Sequence, residues 1–125
     1  SELLNGEYSK PELLPSHINI PGEGMLNQTA YIAPDESYLI YCSRCFTPVD
    51  DKGDLYICFR NSDGSWTERI KLNDRINTEG MERFPSVSPD GKYFFFNRYD
   101  PEYNEDVYWV SAKFIDSLRE ISGVK

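Results

Sequence analysis

Hydrophobic residues along this chain come in short bursts, "SYLIYC", "DLYICF", "KYFFFN" and "DVYWV", separated by segments rich in Pro, Asp, Asn and Gly. Bursts of this length, full of β-branched and aromatic residues, predict strands. A strand with one wet face alternates apolar and polar positions. Phe94, Phe95 and Phe96 stand in a row, so the pattern predicts a strand covered on both faces. The segments between are turn signals. Pro34-Asp35 and Pro89-Asp90 pair a residue with preset φ with one that accepts from the turn's own N–H groups. Asn61-Ser62-Asp63-Gly64 signals a tight hairpin.

The bursts repeat. "YIAPDESYLIYCSRCF" aligns with "SVSPDGKYFFFNRYDP", placing Pro34-Asp35 on Pro89-Asp90, 55 residues apart. Asp54-Leu55-Tyr56 falls on Asp106-Val107-Tyr108 at a spacing of 52, and the N-terminus matches the middle at a spacing of 58. In that third register Gly6 meets Gly64, Tyr8 meets Trp66, Leu14 meets Leu72, and Ile18-Asn19 meets Ile76-Asn77. Each unit reads as four strands. Strand a is "AYIA" or "PSVS", strand b "SYLIYC" or "KYFFFN", strand c "DLYICFR" or "DVYWVSA", and strand d "SWTERIKL", with "EYSKPELL" as its N-terminal copy. Self-similarity at this period points to solenoids, propellers or arrays. Four-stranded antiparallel units are the blades of a β-propeller, which stack face to face and would cover the phenylalanines. The expected fold is all-β, one partial propeller domain over residues 1–125. Residues 1–14 carry strand d of a preceding blade, 28–72 a blade, 84–112 strands a to c of the next, and 113–120 a short helix.

"PDGKYFFF", followed by an Asp-φ-Tyr strand, Gly-x-Trp, a Leu and Ile-Asn, resembles the TolB-like (WD-repeat-like) β-propeller repeat over roughly residues 5 to 112. Two positions depart from it: Glu36 stands where Gly is usual, and Cys42 where a small hydroxyl residue is common. The ending "FIDSLRE", with Phe114, Ile115 and Leu118 at helical spacing, looks like the C-terminal helix that follows a last blade. The resemblance implies an exported bacterial protein, periplasmic or secreted, that uses its propeller as a binding platform, most often without catalysis.

Composition narrows the partners. A net charge of −8 argues against a nucleic-acid backbone or an anionic membrane surface. No apolar run approaches the ~20 residues of a spanning helix. The cysteines, Cys42, Cys45 and Cys58, are odd in number. Zinc needs about four ligands and His17 is the only histidine, so the Cys-x-x-Cys of Cys42 and Cys45 implies no metal. The three read as strand-end and loop thiols, with a Cys42–Cys45 pairing left open.

Successive antiparallel strands alternate ends, so the tight a–b and c–d turns share one rim. The longer connections, 15–28, 43–53, 73–84 and 98–105, share the other. Function concentrates on loops held by a rigid scaffold. The candidate binding residues on that face are His17, Asn19, Arg44, Asn77, Glu82, Arg83, Arg98, Tyr99, Asp100, Glu102 and Tyr103, beside Asp50, Asp51 and Glu79. Asp100, Glu102, Asn104 and Asp106 alternate as oxygen ligands do, but without the central Gly or distal Glu of a calcium loop. That loop reads as solvated and acidic, with no metal. Glu82 and Arg83 read as a salt bridge at the channel mouth. His17, unrepeated, reads as a loop residue. Asn19 and Asn77 repeat, which predicts side chains bonding the loop backbone. Trp66 and Tyr8 also repeat and read as packing; Tyr99 and Tyr103 do not, and suit a contact surface.

No paired nucleophile and base stands out, so no catalytic residue and no cofactor is assigned. The expected function is a non-catalytic module for protein or glycan contacts. The alternatives are a glycan-processing lyase or hydrolase with its site at the channel, and a repeat unit whose role is ring assembly. The chain holds strands d, abcd and abc, which leaves a strand-c edge open. Head-to-tail closure of three chains would complete six blades, as would further blades in a longer chain.

Overall fold

The computed structural model describes residues 3–45, 53–102 and 104–125. They form antiparallel sheets and one helix, so the fold is all-β as expected. Strands β1 (Leu3–Leu4) and β2 (Glu7–Tyr8) make a hairpin. Strands β3 (Met25–Ile32), β4 (Tyr38–Cys45), β5 (Asp54–Phe59) and β6 (Ile70–Lys71) form a four-stranded meander in chain order. Strands β7 (Met81–Val87), β8 (Tyr93–Tyr99) and β9 (Glu105–Ser111) form a three-stranded one, and helix α1 (Phe114–Ile121) follows.

The two meanders pack face to face, which accounts for strands that are apolar on both sides. Ile40, Cys42, Leu55, Ile57 and Phe59 of the first sheet meet Phe94 and Phe96 of the second, with Leu72 and Ile76 inserted at the junction. The opposite face of the first sheet buries Leu39, Tyr41 and Cys58 under Ile18 from the N-terminal segment. Phe95 points the other way and is half-buried, so the first sheet covers two of the three phenylalanines. Helix α1 straps the junction at the tight-turn rim. Phe114 meets Phe94 edge-on at 5.3 Å, the Arg119 guanidinium lies 4.9 Å over the Phe59 ring, and Arg119 Nη2 donates to Ser37 Oγ at 3.2 Å.

The Pro-Asp turns form as expected. Ser37 N–H donates to Asp35 Oδ1 at 3.0 Å and Lys92 N–H to Asp90 Oδ1 at 3.1 Å. The residue after each Asp is left-handed: Gly91 at φ 72°, and Glu36, its counterpart, at φ 59°. A side chain there carries a penalty that glycine avoids. Strands β3 and β7, the first of each sheet, also carry the same bulge, unannounced by the hydrophobic pattern. Thr29 and Ala30 oppose Tyr41, Phe84 and Pro85 oppose Phe96, and Thr29 and Phe84 are left-handed at φ 50° and 54°. An extra residue there twists the edge and discourages further pairing.

Several expectations need correction. Strand d is shorter than 65–72: β6 pairs only at Ile70 and Lys71, with a separate bridge from Trp66 to Arg60. Between them the Thr67 hydroxyl replaces a backbone carbonyl, accepting from Phe59 N–H at 3.0 Å. The N-terminal copy, 7–14, is not a strand d. Glu7–Tyr8 pairs with Leu3–Leu4 instead, and residues 9–15 join no strand, because no strand c lies beside them among the described residues. Cys45 ends β4 as a strand-end thiol, but Cys42 lies within β4 and Cys58 within β5, both buried, and none of the three cysteines is in a disulfide. Cys42 and Cys45 stand three apart on one strand, hence on opposite faces. Burial pushes the Cys42 thiol up to about 11 and the Cys58 thiol to about 12. No helix among the described residues is long and apolar enough to cross a membrane.

Candidate functional site

The rim opposite α1 is where the long connections end, and strands reach further into it than the pattern predicts. Arg44 lies on β4, Glu82 and Arg83 on β7, and Arg98 and Tyr99 on β8, so these five are strand rather than loop residues. Their backbones are fixed by ladder hydrogen bonds, which orients the side chains.

Two turns on this rim share one geometry. Ile76 and Asn77 N–H both donate to Asn73 O, at 3.1 and 2.9 Å, and Ile18 and Asn19 N–H both donate to Pro15 O, at 3.0 and 2.9 Å. The apolar residue of each turn is buried in a core cluster. The Asn77 side chain is a three-point clamp. Its Oδ1 accepts from Leu55 N–H at 2.7 Å, while its Nδ2 donates to Leu55 O at 3.0 Å and Leu72 O at 2.9 Å. Asn19 Nδ2 donates to Leu14 O at 3.2 Å, the counterpart of the Leu72 bond. Both asparagines thus bond the backbone, as their repetition predicted.

Arg98 is the hub of the second sheet's rim. Its Nε donates to Glu82 Oε1 at 2.9 Å and its Nη2 to Ile76 O at 3.0 Å and Arg75 O at 3.3 Å. Its plane lies 4.5 Å over Tyr108. Glu82 is fully buried; the Thr78 hydroxyl also donates to Oε1, at 2.6 Å, and Oε2 has no hydrogen-bond partner among the described residues. The expected Glu82–Arg83 salt bridge does not form. Adjacent strand residues point to opposite faces, so Glu82 turns inward to Arg98 while Arg83 reaches across to Glu105 in a bidentate pair at 2.9 and 2.7 Å. That guanidinium holds the Glu105 carboxyl below the usual range.

Asp100 is engaged by its own loop: its Oδ1 accepts from Glu102 N–H at 2.9 Å and Asn104 N–H at 3.0 Å, and these bonds, chiefly those of Asn104, lower its pKa. The Glu102 side chain is exposed. Among the described residues no group of three or more His, Cys, Asp or Glu side chains is placed to hold a metal ion. Tyr103, Asp50 and Asp51 lie outside the described residues.

A cleft of about 290 Å³ brings part of the expected set together, lined by Arg44, Glu79, Gly80, Met81, Tyr99, Asp100 and Pro101. Gly80 permits the close approach, since a Cβ there would sit 2.6 Å from the Tyr99 carbonyl. Arg44 Nη1 meets Met81 Sδ at 3.3 Å across the two sheets. His17 is separate, in the Pro15–Asn19 turn, and does not line this cleft; its Nε2 is buried with no hydrogen-bond partner among the described residues. The sequence reading missed Thr78, Met81 and Glu105, which hold Glu82, Arg44 and Arg83. Only the spacing between strands could have pointed to them.

Comparisons with protein-family models, with curated proteins and with solved structures returned no match.

Proposed function

We propose that this chain is a non-catalytic binding module of the TolB-like propeller kind, contacting a protein or glycan through the rim that carries its long connections. The observation that carries this reading is the cleft of Arg44, Tyr99 and Asp100, walled by strand ends of both sheets and open to solvent. It offers a cation, an amphipathic ring and a carboxylate, the combination that suits sugar hydroxyls or a polar peptide. The groups that chemistry would need are engaged elsewhere: Glu82 with Arg98 and Thr78, Arg83 with Glu105.

The test is amide chemical-shift mapping with a panel of neutral and acidic oligosaccharides and peptides. The expected result is a saturable shift centred on residues 44, 80 and 99–101, lost in Arg44→Ala and Tyr99→Ala, with the ligand recovered unchanged. Cleavage of a bound glycan by the wild-type chain would overturn the reading in favour of an enzyme.

A further inference from the structure

The second sheet lacks the element that completes the first. Strand β5 is covered on its outer edge by residues 66–72 and by the Asn77 clamp, whereas β9 has nothing beside it among the described residues. The two strands are otherwise equivalent. Leu55 pairs with Cys42 and Val107 with Asn97, positions that the 52- and 55-residue registers superimpose. The Leu55 N–H and C=O point away from β4, toward Asn77 and Leu72. By the same alternation, the Val107 N–H and C=O point outward from the free edge of β9. Side-chain exposure differs as well: Leu55 and Ile57, which face the second sheet, are 0 % exposed, while their counterparts Val107 and Trp109, with no sheet facing them among the described residues, are 69 % and 62 %.

The N-terminal segment has the converse defect. Leu14, Ile18 and Asn19 repeat Leu72, Ile76 and Asn77, and the turn after Leu14 already holds the geometry of the turn after Leu72. Yet Leu72 is 2 % exposed and Leu14 38 %, because among the described residues no strand c lies against it. One segment carries the sequence of a strand d and the turn that follows it, with no strand c beside it among the described residues; β9 occupies the place of a strand c, with no strand d beside it among them.

We propose that residues 8–19 of a second copy of this chain add to the free edge of β9, with Asn19 clamping the backbone of Val107 as Asn77 clamps Leu55. Leu14 then enters between Val107 and Trp109 of one copy and Leu39 and Tyr41 of its own. Edge-strand addition of this sort takes its affinity from main-chain hydrogen bonds and its register from the side chains. The contact is heterologous, each copy donating at one end and accepting at the other, so assemblies close into rings or extend.

Two variants separate the halves of the contact. Leu14→Asp disables the donor. Val107→Pro disables the acceptor by removing an N–H that does not serve the β8–β9 ladder, a substitution edge strands tolerate. At tens of micromolar the wild-type chain is expected to run in light scattering as a multiple of 14.5 kDa, and each variant as a monomer. Mixed one to one, the two variants are expected to form a dimer and nothing larger, since only one intact junction remains. Asn19→Ala is expected to weaken association about tenfold, the scale of one lost hydrogen-bonding partner. If Val107→Pro fails to fold, Trp109→Lys replaces it. A monomeric wild-type chain overturns the proposal. So does an oligomer that survives Leu14→Asp, which would mean β9 pairing with β9.

Discussion

The same cross-strand site is built differently in the two sheets. In the first, Asn27 on β3 faces Ser43 on β4, and the Ser43 hydroxyl donates to Asn27 Oδ1 at 3.0 Å. In the second, 55 residues on, Glu82 faces Arg98 with an ion pair at 2.9 Å. The neutral pair ends at its neighbours, among them Arg69, which donates to Ser43 Oγ at 3.2 Å. The charged pair reaches past its own sheet to the carbonyls of Arg75 and Ile76, in the turn inserted between the two sheets. The long side chain bolts the inter-sheet junction. At the outer face of the first sheet no such bolt exists among the described residues, and the equivalent turn is held by Ile18 and Asn19. One repeat position serves a strand pair in one sheet and a sheet pair in the other.

The largest expected effect breaks that bolt. Arg98→Ala leaves Glu82 buried and uncompensated, a loss on the order of 3–5 kcal/mol, and should lower the denaturant midpoint steeply. The double variant Glu82→Asn with Arg98→Ser imports the first sheet's neutral pair and should cost less than Arg98→Ala alone. If the double variant is the worse of the two, the equivalence of the sites is wrong.

Next comes the clamp. Asn77→Ala orphans the buried N–H of Leu55 and removes one of the two donors to its C=O, the other being Leu72 N–H, which should destabilise by about 2–3 kcal/mol. Asn19→Ala, measured in the Val107→Pro background so that self-association does not enter, should change the melt by about 0.5 kcal/mol or less. Equal losses at the two asparagines would show that both turns are already seated alike within one chain.

The a–b turns sharpen the comparison at a smaller scale. Gly91→Ala puts a Cβ at φ 72° and should cost about 1 kcal/mol. Glu36→Gly relieves φ 59° and should stabilise by somewhat under about 1 kcal/mol, because it also forfeits the exposed Glu36–Arg60 pair, worth little. Thermal melts of the two variants should therefore move in opposite directions.

Smallest is the pH dependence of the turn aspartates. Hydrogen bonds from Ser37 hold the Asp35 carboxyl below its usual range, and those from Ser88 and Lys92 do the same for Asp90. A depressed folded pKa contributes stability that is complete above the unfolded value near 4 and is lost as pH falls through the folded one. Melts taken from pH 5 downward should decline slightly less steeply in Asp90→Asn than in the parent. An identical slope would remove Asp90 from the acid transition.

Much of this was legible in one dimension. The doubled hydrophobic bursts announced strands packed on both faces, and β4 and β5 are such strands, while β8 is covered on the face of Phe94 and Phe96 and leaves Phe95 half-buried. The Pro-Asp turns and the repeated asparagines announced their own hydrogen bonds, because those bonds are local or fall on repeat positions. The candidate face was legible as a rim, but among the described residues only Arg44, Tyr99 and Asp100 of its binding set come together in this cleft. Glu82, Arg83 and Arg98 were legible as rim residues, but the expected pairing of Glu82 with Arg83 is replaced by Glu82–Arg98 and Arg83–Glu105. Adjacent positions on a strand face opposite ways, and which neighbour each meets depends on a register set by the bulge at Phe84.

By itself the sequence determined the class of fold, the unit that repeats, the turn chemistry and the residues able to clamp a backbone. These rest on periodicity and on side chains bonding within a few residues or one repeat. Tertiary structure alone decided that Glu82 pairs with Arg98 and Arg83 with Glu105, that Cys42 and Cys58 are buried, and that residues 9–15 join no strand of their own chain among the described residues. A strand is defined by the partner that satisfies its backbone, and the sequence of a segment does not state whether that partner is present.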